Sequence, residues 1–516
     1  MSRPWSLKIG DLTLGTAPEG AREVPSDAPF RIAILGTFGG RVGPDVQRSA
    51  TRRPLRVDRD NFHEVLARSD LEIHLPPGPA SPSGVCIRIR ELDDFHPDRL
   101  FRSLDMFAPL RDLRQRLVNP STFAAAAAEV RSWSASPTRA PETDPSRQTT
   151  PPAPGDVSPE KLLEQVLGGA LPAEPRTGQG ASRTSTGLTE WLRQVVEPYT
   201  VPGADPDQGT LIAQVDAAIS AQMRGILHHP VFQEAEAAWR SVFFLVSRLE
   251  TGPNLQLFLL DLSRDELAAD LEAEPFSKTN TFKLLVEHTV GTALSQPWAV
   301  LVGNYTFEMT PTDVRLLALL GQVARHAGAP FLAAAHCRIL GCPSLAESPD
   351  PDDWREPSDP EAVKAWAALR QLPEAAHLGL ALPRFLLRLP YGKETIPAEE
   401  FSFEEMPEIP RHDWYLWGNP AFACALLLSE SYREQGWDMR PGDVLEIDGL
   451  PLHVYKEAGE SHLKPPAEVL LRERGAGIIL DRGVMPLLSS AEGDVIRLIR
   501  FQSVANPPAP LAGKWQ

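Results

Sequence analysis

Basic residues are in deficit in this chain of 516. Lys and Arg number 51 against 68 Asp and Glu, a formal net charge of −17. A nucleic-acid binder needs a basic face to displace counterions from phosphates, so this balance argues against one. The same charge makes separate copies mutually repulsive, and any ordered assembly then requires local charge complementarity. Cysteine is scarce too. Cys86, Cys337, Cys342 and Cys424 are too few for a disulfide framework in so long a chain, which fits a reducing compartment. Long apolar runs are missing. The longest uncharged apolar stretch, 414–429, contains Gly418, Asn419 and Pro420 and is too short to span a bilayer. Arg3, Lys8 and Asp11 interrupt the first residues, so no secretory leader is read there. The expectation is a cytoplasmic protein with no nucleic-acid partner and no direct membrane insertion.

Proline, by contrast, is plentiful, with 51 residues, many of them crowded into one region. Length alone predicts two to four domains. Residues 1–133 read as a first compact unit. Within it 7–14 alternates with period two, as a half-exposed strand does, and 30–36 is a buried-strand run ending in Gly36. Two more strands are expected at 71–75 and 85–89. Leu100, Leu104, Phe107, Leu110, Leu113 and Leu117 recur at helical spacing, which predicts one helix over 100–117. An alanine-rich helix is expected at 123–133.

From 134 the sequence becomes rich in Ser, Thr, Pro and Ala, including Pro151, Pro152 and Pro154, too apolar-poor to offset its ordering entropy. The linker expected over 134–209 carries two short helices, 159–167 and 188–196. A second body is expected over 210–437, where helices at 211–226, 232–249, 264–271 and 312–326 alternate with strands at 255–260, 298–302 and 330–335. That alternation predicts an α/β layer with a partly parallel sheet. Short runs between glycine turns predict a small β-rich part over 438–516. The fold class is therefore α/β with α+β elements: mixed sheets with flanking helices, in two bodies joined by a Pro-rich linker.

Several segments imitate active sites. Gly36, Gly39 and Gly40 follow a strand but lack the spacing of a dinucleotide fingerprint. Gly392-Lys393 is followed by Glu394, where a P-loop needs Ser or Thr to hold magnesium. His336, Cys337 and Cys342 have zinc-ligand chemistry without a second ligand pair, and buried thiols are the commoner outcome. His228-His229 before Pro230 reads as a junction between helices. Glu399, Glu400, Glu404 and Glu405 flank Phe401 and Phe403, which predicts a solvated face around two anchoring aromatics. No catalytic residue, cofactor or metal site is assigned, and the chain is expected not to be an enzyme.

Longer motifs are more informative. In the first unit they are 29–36 with Phe38 and Arg41, 57–62 with Asp60, Asn61 and Phe62, 92–98 with Asp94 and Phe95, and 110–114. In the second body they begin with His228, His229, Pro230, Phe232, Trp239 and Arg240, then 302–305 and 329–331. The longest, 382–392, holds Pro383, Arg384, Arg388, Tyr391 and Gly392. It is followed by 399–405 and by 415–419 with Trp417, Gly418 and Asn419. In these stretches the first unit resembles the small subunit, and the second body the large subunit, of a type VI secretion contractile sheath, here in one chain. The resemblance implies a structural protein of a helical tube, with other sheath protomers, an inner-tube protein and a baseplate as partners.

It further implies strand exchange between protomers, for which Leu7, Ile9, Leu12 and Leu14 are the candidates. A AAA+ recycling unfoldase would bind a helix of the large subunit. The candidates there are Leu162, Leu163, Val166 and Leu167, or Leu188, Trp191, Leu192 and Val195. The family's large subunit continues past the stretch resembling 501–503. The expectation is therefore a sheath component, with a docking or capping accessory of the sheath or baseplate as the alternative.

Overall fold

A computed structural model describes residues 6–9, 12–15, 28–39, 53–77, 84–134, 192, 196, 208–273, 275–290, 296–355, 357–490 and 493–515. Its strands, in chain order, begin with β1 (Ser6–Ile9), β2 (Leu12–Gly15), β3 (Phe30–Gly36), β4 (Leu55–Val57), β5 (Leu71–Leu75) and β6 (Val85–Ile89). There follow β7 (Leu255–Asp261), β8 (Val300–Phe307), β9 (Phe331–Ala335), β10 (Leu378–Leu382), β11 (Phe385–Leu386) and β12 (Trp417–Gly418). The last are β13 (Glu446–Ile447), β14 (His453–Glu457), β15 (Glu460–Lys464), β16 (Val484–Ser489) and β17 (Ile496–Leu498).

One nine-stranded sheet dominates, in the order β13-β17-β16-β10-β9-β8-β3-β7-β4. Its middle, β16, β10, β9, β8, β3 and β7, is parallel, and β4, β17 and β13 add antiparallel edges. Parallel strands need both faces covered. On one face Ala33, Leu35, Leu301, Phe331, Ala333 and Leu380 pack with helices Pro311–Ala327 and Pro360–Arg370. The intervening residues, among them Ile32, Ile34, Val300, Val302 and Leu332, are equally buried. Helix Pro420–Gln435 lies against β3, β8, β9 and β10 and against helix Pro230–Arg248.

The units of this fold run differently from the expected bodies. One unit joins residues 1–106 to 220–516, and the other comprises 107–219. β3, from the first sequence segment, sits in the middle of the sheet of the second. Its register runs from Phe30 opposite Leu255 to Gly36 opposite Asp261, and on its other side from Ile32 opposite Val300 to Leu35 opposite Gly303. The segment expected as a β-rich appendage supplies β13, β16 and β17 to the same sheet, and only β14 and β15 form a separate hairpin.

Two local expectations are corrected. The single strand over 7–14 is two short antiparallel strands, with Ile9 opposite Leu12. The single helix over 100–117 is two, Pro97–Ser103 and Ala108–Val118, with Leu104 extended between them. Pro109 has no N–H to continue a helix and is tolerated only in a first turn.

The described elements of the unit 107–219 are helices. Ala108–Val118 and Phe123–Ser134 are joined by Arg116 Nη1 donating to Glu129 at 2.8 Å, and Arg114 Nε donates to Asp216 at 2.6 Å. Of the two helices expected in the linker, 159–167 lies outside the described residues. In 188–196, Leu192 and Val196 are described, and both are helical and buried.

Candidate functional site

The family-like stretches converge around Arg388. Helix Pro230–Arg248 begins after His229, so Glu236 and Arg240, four residues apart, lie on one face. Glu236 is fully buried, and Arg388 Nε donates to its Oε1 at 2.8 Å. On its other side Arg388 donates to both oxygens of Glu405, at 2.8 and 3.1 Å. Arg240 donates to Glu236 at 2.7 Å and to the Tyr391 hydroxyl at 3.1 Å. The Tyr391 backbone N–H donates to Glu405 at 2.6 Å, and the Arg388 guanidinium lies 4.1 Å from the Tyr391 ring centre. Two carboxylates and two guanidiniums thus form one connected buried network, the arrangement in which buried charge is tolerated.

Its electrostatics follow from partner number. Burial pushes the Glu236 carboxyl up, but the charges of Arg388 and Arg240 outweigh it and hold the group below the usual carboxylate range. Burial outweighs Glu405's one guanidinium partner, Arg388, and the Tyr391 N–H, and its carboxyl is raised. Burial pushes the Tyr391 hydroxyl up to about 12. Arg388 stays charged, because Glu236 and Glu405 outweigh its desolvation.

Arg384, four residues before Arg388, builds a second cluster nearer solvent. It donates to Glu468 at 3.0 Å, and His412 Nε2 lies 3.0 Å from the same carboxylate. Burial raises the Glu468 carboxyl, but the hydrogen bonds from His412 and Arg384 prevail and hold it well below the ordinary range. Trp417 Nε1 donates to the His412 carbonyl at 3.0 Å. Asn419 caps helix Pro420–Gln435 through Ala421 N–H at 2.9 Å and donates to the Tyr305 carbonyl on β8 at 3.0 Å. A side chain at Gly392 would run into the Glu404 carboxylate, which already accepts the Lys393 N–H at 3.0 Å. A Cβ at Gly418 would stand 2.9 Å from the Leu387 side chain.

The motifs of the first segment meet this site directly. Asp98 accepts the Glu399 N–H at 2.9 Å and the Glu400 N–H at 3.1 Å. Arg102 Nε donates to Glu400 at 2.8 Å, and Phe101 packs 4.8 Å from Phe401. Phe95 meets Phe232 edge-on at 5.5 Å, and His96 lies 4.9 Å from Tyr391. Asp94 closes a capping box by accepting the Glu91 N–H at 3.1 Å, and it also accepts the Arg90 N–H at 2.8 Å. Asn61 and Asp58 exchange hydrogen bonds at 2.9 and 3.0 Å, seating Phe62 against Trp239 and Phe243. Asp60 is exposed in that turn. Arg41 lies outside the described residues.

The expected solvated face over 399–405 is half right. Phe401 and Phe403 are buried anchors, but Glu405 is buried as well, as a counter-ion of Arg388. Glu236 and Glu468 were not singled out from sequence. For Glu236 the signal present was its spacing of four from Arg240. The imitation sites are also accounted for. The Phe38 and Gly39 amides donate to Asp261 at 2.8 and 3.3 Å, so the glycine turn holds the protein's own carboxylate. Burial pushes the Cys337 thiol up to about 12 and raises Cys342, which keeps both protonated. His228 stacks on Trp414 at 4.2 Å, and burial pushes it down to about 3. Of the strand-exchange candidates, Leu7 and Ile9 lie on β1, and Leu12 and Leu14 on β2. Of the unfoldase candidates, the described one, Leu192, is buried.

Comparison with known proteins accords with these convergent motifs. A family model described as EvpB/VC_A0108, tail sheath N-terminal domain, matches residues 209–505. The chain belongs to the type VI secretion sheath family. A second family model, described as type VI secretion system, VipA, VC_A0107 or Hcp2, matches residues 12–132. The type VI secretion system sheath protein TssC1 of Pseudomonas aeruginosa is 32% identical over 343 residues, which covers 65% of this chain and 69% of that protein. Both sheath-type segments therefore reside in one polypeptide, and the role is that of a structural sheath component. Sheath families are structural families whose protomers self-assemble. Among the described residues no helix is long and apolar enough to cross a membrane.

Proposed function

We propose that this chain is a single-polypeptide building block of a contractile sheath, which polymerises around an inner tube in the bacterial cytoplasm and does mechanical work without catalysis. The observation that carries the reading is β3. A strand from the small-subunit-like segment is hydrogen-bonded between β7 and β8 of the large-subunit-like segment, so strands of both share one sheet. Contraction would then repack contacts between blocks while each block keeps its sheet. In this reading the inner-tube protein lies within the assembly and the baseplate anchors one end. A AAA+ unfoldase recycles contracted material through a helix of the 134–209 region. The β1–β2 hairpin is the candidate for strand addition to a neighbouring protomer, where backbone hydrogen bonds between chains supply the linkage.

The test is negative-stain electron microscopy of the purified chain, alone and with its inner-tube protein, alongside light scattering. Long hollow helical tubes support the building-block reading. Monomers or small closed oligomers under both conditions overturn it, in favour of an accessory that docks on a sheath end or baseplate.

A further inference from the structure

A cluster of metal-ligand side chains lies on the β5–β6 hairpin, outside the network just described. The two strands are antiparallel, with His74 opposite Cys86 and Glu72 opposite Arg88. Leu71, Ile73, Leu75, Ile87 and Ile89 are buried, so the alternate residues Glu72, His74, Cys86 and Arg88 share the outward face. One ligand atom from each of Glu72, His74 and Cys86 lies within 4.8 Å of the others. His74 and Cys86 are exposed and Glu72 is half-buried.

The geometry points to a zinc-class divalent cation held by Glu72, His74 and Cys86, clipping β5 to β6. Zinc takes nitrogen and oxygen at about 2.0–2.2 Å and sulfur at about 2.3 Å, which sets neighbouring ligand atoms roughly 3.3–3.8 Å apart in a tetrahedron. His74 Nε2 already stands 3.7 Å from Glu72 Oε2. The remaining closure is a rotation of exposed side chains on a hairpin whose buried face is fixed. Glu72 is also oriented for the task. Arg88 Nε donates to its Oε1 at 2.7 Å, leaving Oε2 towards His74, as a carboxylate ligand is held by an outer hydrogen bond. The donor set selects the cation. One thiolate and one imidazole suit zinc and its neighbours and disfavour magnesium or calcium, which take oxygen. With three protein ligands the fourth position belongs to water or to a group from outside the hairpin.

The test uses the untagged full-length chain and Zn²⁺ alone, with metal content after equilibrium dialysis as the readout. Co²⁺ is the spectroscopic probe. The expected result is one Zn²⁺ per chain at micromolar affinity, weakened at least about tenfold by Cys86→Ser and by His74→Ala and less by Glu72→Gln. The Co²⁺ complex should show a thiolate-to-metal charge-transfer band that Cys86→Ser lacks. No uptake, or uptake unchanged in the Cys86→Ser/His74→Ala double variant, overturns the site. Because His74 and Cys86 are exposed, their loss in the double variant leaves the fold intact, and a negative result there reports on the metal.

Discussion

The small-subunit-like segment is joined to the rest of its folding unit in two contrasting ways. β3 is held by backbone rungs on both edges, with Phe30 N–H donating to Asn254 at 2.7 Å and Leu262 N–H donating to Gly36 at 2.8 Å at its ends. Its side chains are buried on both faces, and Phe30 packs 4.7 Å from Tyr432. Helix Pro97–Ser103, in contrast, is held by side chains alone: the buried Asp98 on two amides, Phe101 on Phe401, and at the exposed rim Arg102 on Glu400. Backbone pairing inside a sheet is cooperative and has no intermediate arrangement, whereas solvent-accessible polar contacts exchange one at a time. The first attachment defines the block. The second rests on separable side-chain contacts.

Substitutions along this gradient test it. Ile34→Pro removes a ladder donor and a buried side chain in mid-sheet, and is expected to destabilise by more than about 4 kcal/mol and abolish soluble folded protein. Soluble yield and denaturant unfolding measure this. Near wild-type stability would mean that β3 is dispensable and the two attachments alike. Arg388→Met leaves Glu236 and Glu405 buried without their shared cation, an expected loss of about 3–5 kcal/mol in urea unfolding.

Asp98→Ala strands the Glu399 and Glu400 amides and should cost about 1–3 kcal/mol. Arg102→Ala should change stability least, with a difference that vanishes in high salt. If Arg102→Ala proved as damaging as Arg388→Met, the rim would not be the compliant attachment. A pH titration sharpens the middle of the series. Glu468 is held below its unfolded value, so its contribution is complete above about pH 4.3 and is lost as pH falls through the folded value. Glu468→Gln should flatten that part of the acid limb.

Much of the local structure was legible. The run 30–36 became β3, and the helix expected at 264–271 is present, where the structure adds a capping box between Ser263 and Glu266. In the long motif 382–392, Arg384, Arg388, Tyr391 and Gly392 all have specific neighbours. What sequence order could not supply was pairing between distant segments. Nothing near residue 30 states that its neighbours are residues 255 and 300. Periodicity also misled at Pro109, where a second helix starts. Glu405 resembles its exposed neighbours in composition, and only the position of Arg388 makes it a buried counter-ion. The hairpin cluster of Glu72, His74 and Cys86 was invisible for the same reason, because strand register and not spacing brings it together.

The central place of β3 has a consequence for synthesis. The ribosome makes this apolar strand near the start of the chain, but its partners β7 and β8 emerge more than two hundred residues later. At roughly 5–20 residues per second, the strand waits on the order of ten seconds or more before the sheet can close around it. A nascent chain carrying Phe30, Ile32, Ile34 and Leu35 in the open is a natural client for a chaperone during that interval. Because both halves leave the same ribosome, each strand then finds the partner made with it, and no copy of either half is left over.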